Sequence, residues 1–361
     1  MTAAGLPKAT APAVAVPAVP GVLTARDILL TGQSIAEVQE PSGAIGWPDG
    51  HTDAWNHVEC AMALTVCGLR GAARRAYNWL CATQRRDGSW PKAVAAGGAV
   101  SDDGAESNHA AYVAVGVWHE FLVTGDTSFV RAMWPTVRSA MGFVLSLRRA
   151  RGEILWERGG RYALLAGSSS MYQSLRCAAA LAELVGEPQP DWELAAGQLA
   201  HVVASHPESF ADKSRISMDW YYPVLSGAVR GPAATARLYG SWGHFVVPGL
   251  GVRCVSDEPW VTGAETCELV MALDALGDRA RAARLFSEVQ HLRCPGGGYW
   301  TGWQFVNCAH FPAERSSWTA AAVILAADAL SRSTPGSGLF RDCGSGHAAP
   351  PPADPALCGC A

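Results

Sequence analysis

The sequence predicts an all-α fold of one kind, an (α/α)6 toroid, in which six helical hairpins close into a ring. Three observations lead there. Apolar residues recur at three and four spacing in segment after segment, with Gly, Pro or Asp at the breaks, and that is the helical period. Alternate segments begin roughly 45 to 60 residues apart, the spacing of a repeat built from hairpins. The segments also alternate in kind, one buried on most sides and the next amphipathic.

In chain order the segments begin near Leu23, Asp53, Gly71, Asn108, Ser128, Ser169, Asp191, Asp219, Pro232, Gly263, Asp278 and Ser316. Those near Asp53, Asn108, Ser169, Asp219, Gly263 and Ser316 are Ala-rich and weakly charged, as in AMALTVCGL, AAYVAVGVW and TAAAVILAADAL, and read as inner helices. Their partners, such as GAARRAYNWLCATQRR and DRARAARLFSEVQHLR, carry an Arg-rich face and read as outer helices. The same pattern permits an open solenoid or a pair of bundles, but six pairs are enough to close a ring. Phe245 to Val255 is the main β-rich run, so strands are expected only as short pieces in the connections. The Ala/Pro-rich head, 1–20, and the Gly/Pro-rich tail, 334–361, read as disordered, which leaves one domain over 21–333.

A formal charge of -4 gives no clustered basic face, and nucleic-acid partners are set aside. No apolar run is long enough to cross a bilayer, and the head does not resemble a secretory signal. Cys60, Cys67, Cys81, Cys177 and Cys267 fall in apolar helical segments, where a free thiol behaves as a small buried hydrophobe. Together these features predict a cytoplasmic protein. Cys343, Cys358 and Cys360 lack a nearby His at ligand spacing, and no metal site or cofactor is expected.

In a toroid all inner helices run the same way, so the segments at their starts converge on one rim of the central cavity. Here those segments read WPDGHTDAWNHVE from Trp47, DDGAESNHAAY from Asp102, GSSSMYQS from Gly167, SMDWYYP from Ser217, SDEPWVTGAETCE from Ser256 and HFPAERSSW from His310. Capping accounts for one Asp or Ser at each start, worth about 1 kcal/mol. It does not account for aromatics in all six. Carboxylates beside indole and phenol faces suit sugars, the acids gripping hydroxyls while the rings stack on apolar sugar faces. Asp53, Trp55, Asn108, His109, Tyr172, Asp219, Tyr221, Trp260, Glu265 and Trp318 are the candidate substrate contacts. Glu265 and Glu268 lie one turn apart in an otherwise buried helix, where an unpaired acid is costly, so at least one is expected to face the cavity or to pair with an Arg such as Arg253.

The stretch ESNHAAYVAVGVWHEFLVTGDTSFVRAMWPTVRSAMGFVLSLRRARGEILWER is similar to the middle of the six-hairpin glycosidases, especially the glucoamylases. In that family a Trp-acid pair supplies the general acid and a Gly-Ser-Ser element opens the next inner helix; ILWER and GSSSMYQ stand here in that order. The resemblance implies a glycoside hydrolase with Glu157 as general acid, Asp53 as a substrate-gripping acid, and Glu314, ahead of the last inner helix, as catalytic base. Arg158 replaces the second acid often found after the Trp-acid pair, and Thr52 stands where an Arg usually precedes Asp53. The chemistry needs one protonated and one ionised carboxyl, with room for a water if the anomeric centre inverts. Trp156 is expected to favour the protonated form of Glu157, and Glu258 beside Trp260 is the reserve catalytic acid or base.

Other readings compete. Glu157 as a surface acid beside Arg158 or Arg161, and Glu314 as a helix-start acid, need no catalysis. QRRDGSW at Gln84 to Trp90 resembles the repeat element of squalene cyclases and prenyltransferase β-subunits, and PGGGYWTG is a looser echo, so a terpenoid or prenyl-chain enzyme is the alternative chemistry. The DxDD motif of the cyclases is absent, and Asp-Gly followed by Trp also makes a plain turn sealing an outer helix. The DDxxE string from Asp102 to Glu106 lies in a Gly-rich loop and does not read as a magnesium-diphosphate box. His51, His57, His109 and His244 show no metal spacing and read as wall residues. The third reading is a toroid that binds carbohydrate without cleaving it.

Overall fold

A computed structural model describes residues 15–342 of the 361-residue chain; the thiols at 343, 358 and 360 lie outside the described residues. The helical hairpins follow in order: α1 (Ala25–Glu37) with α2 (Ala54–Val66), α3 (Arg70–Thr83) with α4 (Ser107–Thr124), and α5 (Thr127–Ser146) with α6 (Leu165–Val185). Next come α7 (Pro190–Ser205) with α8 (Ser217–Leu225), then α9 (Gly231–Gly240), the single turn α10 (Trp242–Phe245) and α11 (Gly263–Leu276), and finally α12 (Arg279–Glu288) with α13 (Ser317–Ser331). Contacts run α2 to α4, α4 to α6, α6 to α8, α8 to α11, α11 to α13 and α13 back to α2. The ring is closed.

The two kinds of helix behave as their composition dictates. Every residue of α2 is buried, and so is Thr319 through Leu330 in α13. The outer α3 buries only Ala72, Ala73, Ala76, Tyr77, Trp79 and Leu80 and turns its arginines outward. Each fully buried Leu, Val or Met gains about 1.5 to 3 kcal/mol, so the Ala-rich inner ring is held mainly by its contacts on both sides. Cys60, Cys67, Cys177 and Cys267 are buried as expected, whereas Cys81 near the end of α3 is exposed, its Sγ meeting Met133 and Thr136 of α5.

Strands are short and confined to connections. β1 (Ala93–Val94) and β2 (Val100–Asp102) pair antiparallel; β3 (Val246–Val247), β4 (Gly251–Arg253), β5 (Trp260–Thr262), β6 (Gly302–Gln304) and β7 (Ala309–His310) form one antiparallel sheet in that order. That sheet runs directly into α11 at Thr262 and Gly263.

The far end of the ring corrects one expectation. Residues 334–342, assigned by composition to the tail, pack into the body of the protein. Thr334 N–H and hydroxyl donate to the two oxygens of Asp328, Arg341 Nη1 donates to Asp274 Oδ2 at 2.6 Å, and Leu339 and Phe340 join the core. Gln173 of α6 donates to the Leu339 carbonyl at 3.5 Å, and Arg230 of the α8 to α9 connection to the Phe340 carbonyl at 3.0 Å, so the segment's backbone is tied to the ring as well.

Candidate active site

Asp53 is the N-cap of α2. Its Oδ1 accepts the Asn56 N–H at 2.9 Å, and its Oδ2 accepts Trp47 Nε1 at 2.7 Å and the Asn56 amide at 2.5 Å. His109, in the first turn of α4, places Nε2 3.9 Å from Asp53 Oδ1 and 3.4 Å from Glu106 Oε2. Burial alone pushes the Asp53 pKa up, but the charge of His109 and the Trp47 and Asn56 donors outweigh it and leave the carboxyl below its ordinary value. At Glu106 burial wins over His109 and Lys92, and the pKa is raised.

Glu157 meets this group from the side. Its backbone pairs with that of Glu106, and Lys92 Nζ lies 3.5 Å from Glu157 Oε2 and 3.1 Å from Glu106 Oε1. The expected apolar neighbour is not the one that meets its carboxylate: the Trp156 ring turns to the first turn of α6, where a side chain at Gly167 would come within 3.2 Å of it. Arg158 pairs with Asp87, so it does not compete for Glu157. Glu314 is half-buried and its Oε1 accepts from Thr301 Oγ1 at 3.4 Å. Glu258 stays in the loop before β5, beside the exposed Arg215–Asp257 pair, and is not brought to the other acids.

Aromatics line the group around Asp53. Trp318 on α13 lies 5.8 Å from Trp47 and 5.6 Å from Trp55, ring centre to ring centre, and Trp55 lies 5.4 Å from Tyr112. Trp260 is half-buried against Phe311 on the sheet, 5.1 Å away. Deeper in, Tyr112 donates to Glu59 at 2.9 Å, while Tyr221 and Tyr222 donate to Glu268. Burial lifts Glu59 to about 7 and Glu268 well above the ordinary range; the charge of Asp53 raises Glu59 further, and that of Glu59 raises Glu268. Arg253 donates to the carbonyls of His244 and Ser256 and does not pair with Glu268. Tyr172 is buried in α6. Asp219 departs from the group: its Oδ1 accepts the Ala166 N–H at 3.0 Å and it lines a separate cleft beside Arg237.

Five buried polar atoms among the expected substrate contacts have no hydrogen-bonding partner in the chain: Trp55 Nε1, Asn108 Oδ1, His109 Nδ1, Glu265 Oε2 and Trp318 Nε1. Buried polar atoms are almost always satisfied, so these atoms keep hydrogen-bonding capacity that the chain itself does not use. Sequence reading missed Lys92, which stands in a loop with no motif around it. It also set Glu106 aside with the DDxxE string; Asp102 and Asp103 are exposed and only Glu106 turns inward. Among the described residues no His, Cys, Asp and Glu cluster fits a metal ion, and no helix is long and apolar enough to cross a membrane.

Comparison with known proteins adds the following. No family model matches the chain. It is 57% identical over 332 residues, 91% of its own length and 92% of the relative's, to the MMP endo-(1,4)-3-O-methyl-alpha-D-mannosidase of Mycolicibacterium hassiacum. Among solved structures, a glycosidase superposes with a TM-score of 0.69 at 14% identity, over 87% of this chain and 97% of that one. The mannosylglycerate hydrolase of Thermus thermophilus, a GH63 enzyme solved with glucose, gives 0.63 at 13% identity over 82% and 99%. A D-mannose isomerase gives 0.63 at 11% identity over 84% and 96%, so the fold serves more than one sugar chemistry.

Proposed function

The chain belongs to the family of that endo-mannosidase and is a glycoside hydrolase, and on that premise we propose that it cuts internal (1,4) linkages of α-mannoside chains bearing 3-O-methyl groups. The single observation that supports this location for the reaction is the set of unpartnered buried polar atoms at the starts of α2, α4 and α11. Trp55, Asn108 and His109 hold the sugar through its hydroxyls, and Trp47 and Trp318 offer their ring faces.

Asp53 and Glu265 form the carboxylate pair. Asp53, kept ionised by Trp47, Asn56 and His109, takes a proton from water as its oxygen forms the new bond to C1. Glu265 gives a proton to the glycosidic oxygen as its bond to C1 breaks. The anomeric centre inverts, which calls for carboxyls separated by about 6.5 to 9.5 Å. A second reading keeps Glu157 and Glu314 as the pair, favoured by the Trp-acid element and by the place of Glu157 beside Glu106.

Release of new reducing ends from a (1,4)-linked chain of 3-O-methylmannose tests both. Asp53→Asn and Glu265→Gln are each expected to lower kcat by at least about a thousandfold, with circular dichroism unchanged. Glu157→Gln and Glu314→Gln are expected to stay within about tenfold of the parent. The reverse ranking transfers the roles to Glu157 and Glu314. Proton NMR during turnover should show the β-configured product first.

A further inference from the structure

A second cleft, of about 610 Å³, lies between the start of α6, the 207–214 turn and the α8–α9 hairpin. That is the size of an ordinary small-ligand site. Its wall is apolar where it is deepest, at Leu165, Phe210, Trp220 and Phe245, with the Trp220 and Phe245 rings stacked 4.9 Å apart. Its mouth is charged, with Glu208, Asp212 and Lys213 exposed.

The wall is held in place by bonds that have no part in the group around Asp53. Arg237 Nε donates to the Trp220 carbonyl at 2.8 Å and its Nη2 to the Asp219 carbonyl at 2.6 Å, while Trp220 Nε1 returns a bond to the Arg237 carbonyl at 2.9 Å. Across the cleft, Ala211 N–H donates to the Ala163 carbonyl at 2.9 Å, fixing Phe210 beside the loop that leads into α6. That loop connects the two places: it leaves Glu157 next to Glu106 and Lys92, and arrives at Leu165 on the cleft wall. Leu165 and Asp219 also stand at the starts of α6 and α8, on the rim where the inner helices begin, so a chain lying along that rim reaches the cleft.

We infer that this cleft is a distal subsite that receives methyl-ether-bearing sugar units of the same glycan, away from the bond being cut. The inference rests on the substrate reading above. A methyl ether fits the apolar wall of Leu165, Phe210, Trp220 and Phe245, and Asp219 and Arg237 beside that wall can take the hydroxyls next to it. The charged mouth suits the hydroxyls that remain. An enzyme that cuts within a chain gains from such a subsite, because binding away from the reacting centre places an internal bond at the carboxylates and disfavours a terminal one.

Ala236→Trp tests the cleft. Ala236 is exposed on α9 and lines the opening, so an indole there blocks it without entering the core; Thr235→Trp, one residue away and outside the lining, is the control. On long 3-O-methylated chains Ala236→Trp is expected to raise KM about tenfold with kcat unchanged. The shortest methylated oligosaccharide that is still cut, and an unmethylated (1,4)-mannan of matched length, should show no change, and Thr235→Trp should match the parent throughout. Unchanged KM on long methylated chains, or an equal rise on the shortest, overturns the subsite. A parent protein that cuts none of these chains overturns the substrate reading, and the cleft assignment with it.

Discussion

Single residues carry most of the chemistry here, and their behaviour follows from what each is buried against. Asp53 and Glu106 share His109, yet their pKa values move in opposite directions. The difference is the number of neutral donors: Asp53 accepts from an indole, an amide and a backbone N–H, and Glu106 relies on Lys92 and His109 at more than 3 Å. Histidines show the same logic. His57 accepts the Ile45 N–H on Nδ1 and donates from Nε2 to the Ala76 carbonyl, so its neutral form is built into the fold, and burial lowers its pKa to about 4. His119 is lowered to about 4 by burial alone. For a depressed histidine the stabilisation is complete above the unfolded value of 6.5 and is lost as pH falls toward 4. Relative to the parent, His119→Leu should therefore gain up to about 3 kcal/mol between pH 6.5 and pH 4, read from paired thermal or urea unfolding curves. A difference that does not change with pH would show that His119 is not held neutral.

At the scale of elements, local sequence signals were legible wherever they concern backbone geometry. Twelve expected segment starts match helices beginning within a few residues of them, because Asp53, Asp126, Asp278 and Ser316 cap the very turns their types favour. QRRDGSW is a turn, as its plain reading holds. Asp87 Oδ1 accepts from the Ser89 N–H and hydroxyl, Gln84 reaches the carbonyls of Gly88 and Thr136, and Trp90 donates to the Leu80 carbonyl at 3.1 Å. Gly88 has φ of +92°, and a Cβ there would sit 2.0 Å from the Ser139 carbonyl oxygen. Gly88→Ala is expected to destabilise the protein by more than about 1 kcal/mol with KM unchanged, since it strains the α3–α5 contact without touching the rim. Altered KM at unchanged stability would instead tie this turn to substrate.

The whole molecule is closed at two levels, the inner ring and the plug formed by residues 334–342. The plug's Arg341 joins Arg279 of α12 in neutralising Asp274, its Thr334 supplies Asp328 with donors, and it buries Leu339 and Phe340. Phe340→Ala should cost about 3 to 5 kcal/mol by cavity formation, lowering the unfolding midpoint, while the kcat of the folded protein stays near the parent's. A change in kcat without loss of stability would move this segment from scaffold to active site.

The sequence alone determined the helical period, the alternation of inner and outer helices and the rim on which acids and aromatics gather. Those properties repeat along the chain and need only local spacing to be read. The tertiary structure decided which acids keep company with which donors. Lys92 reaches Glu157 across 65 residues, Trp318 comes against Trp47 and Trp55 only when α13 closes on α2, and Asp219 turns to the Ala166 N–H of α6. A carboxyl's role depends on the atoms within a few ångströms of it, and in a ring of hairpins those atoms come from other repeats.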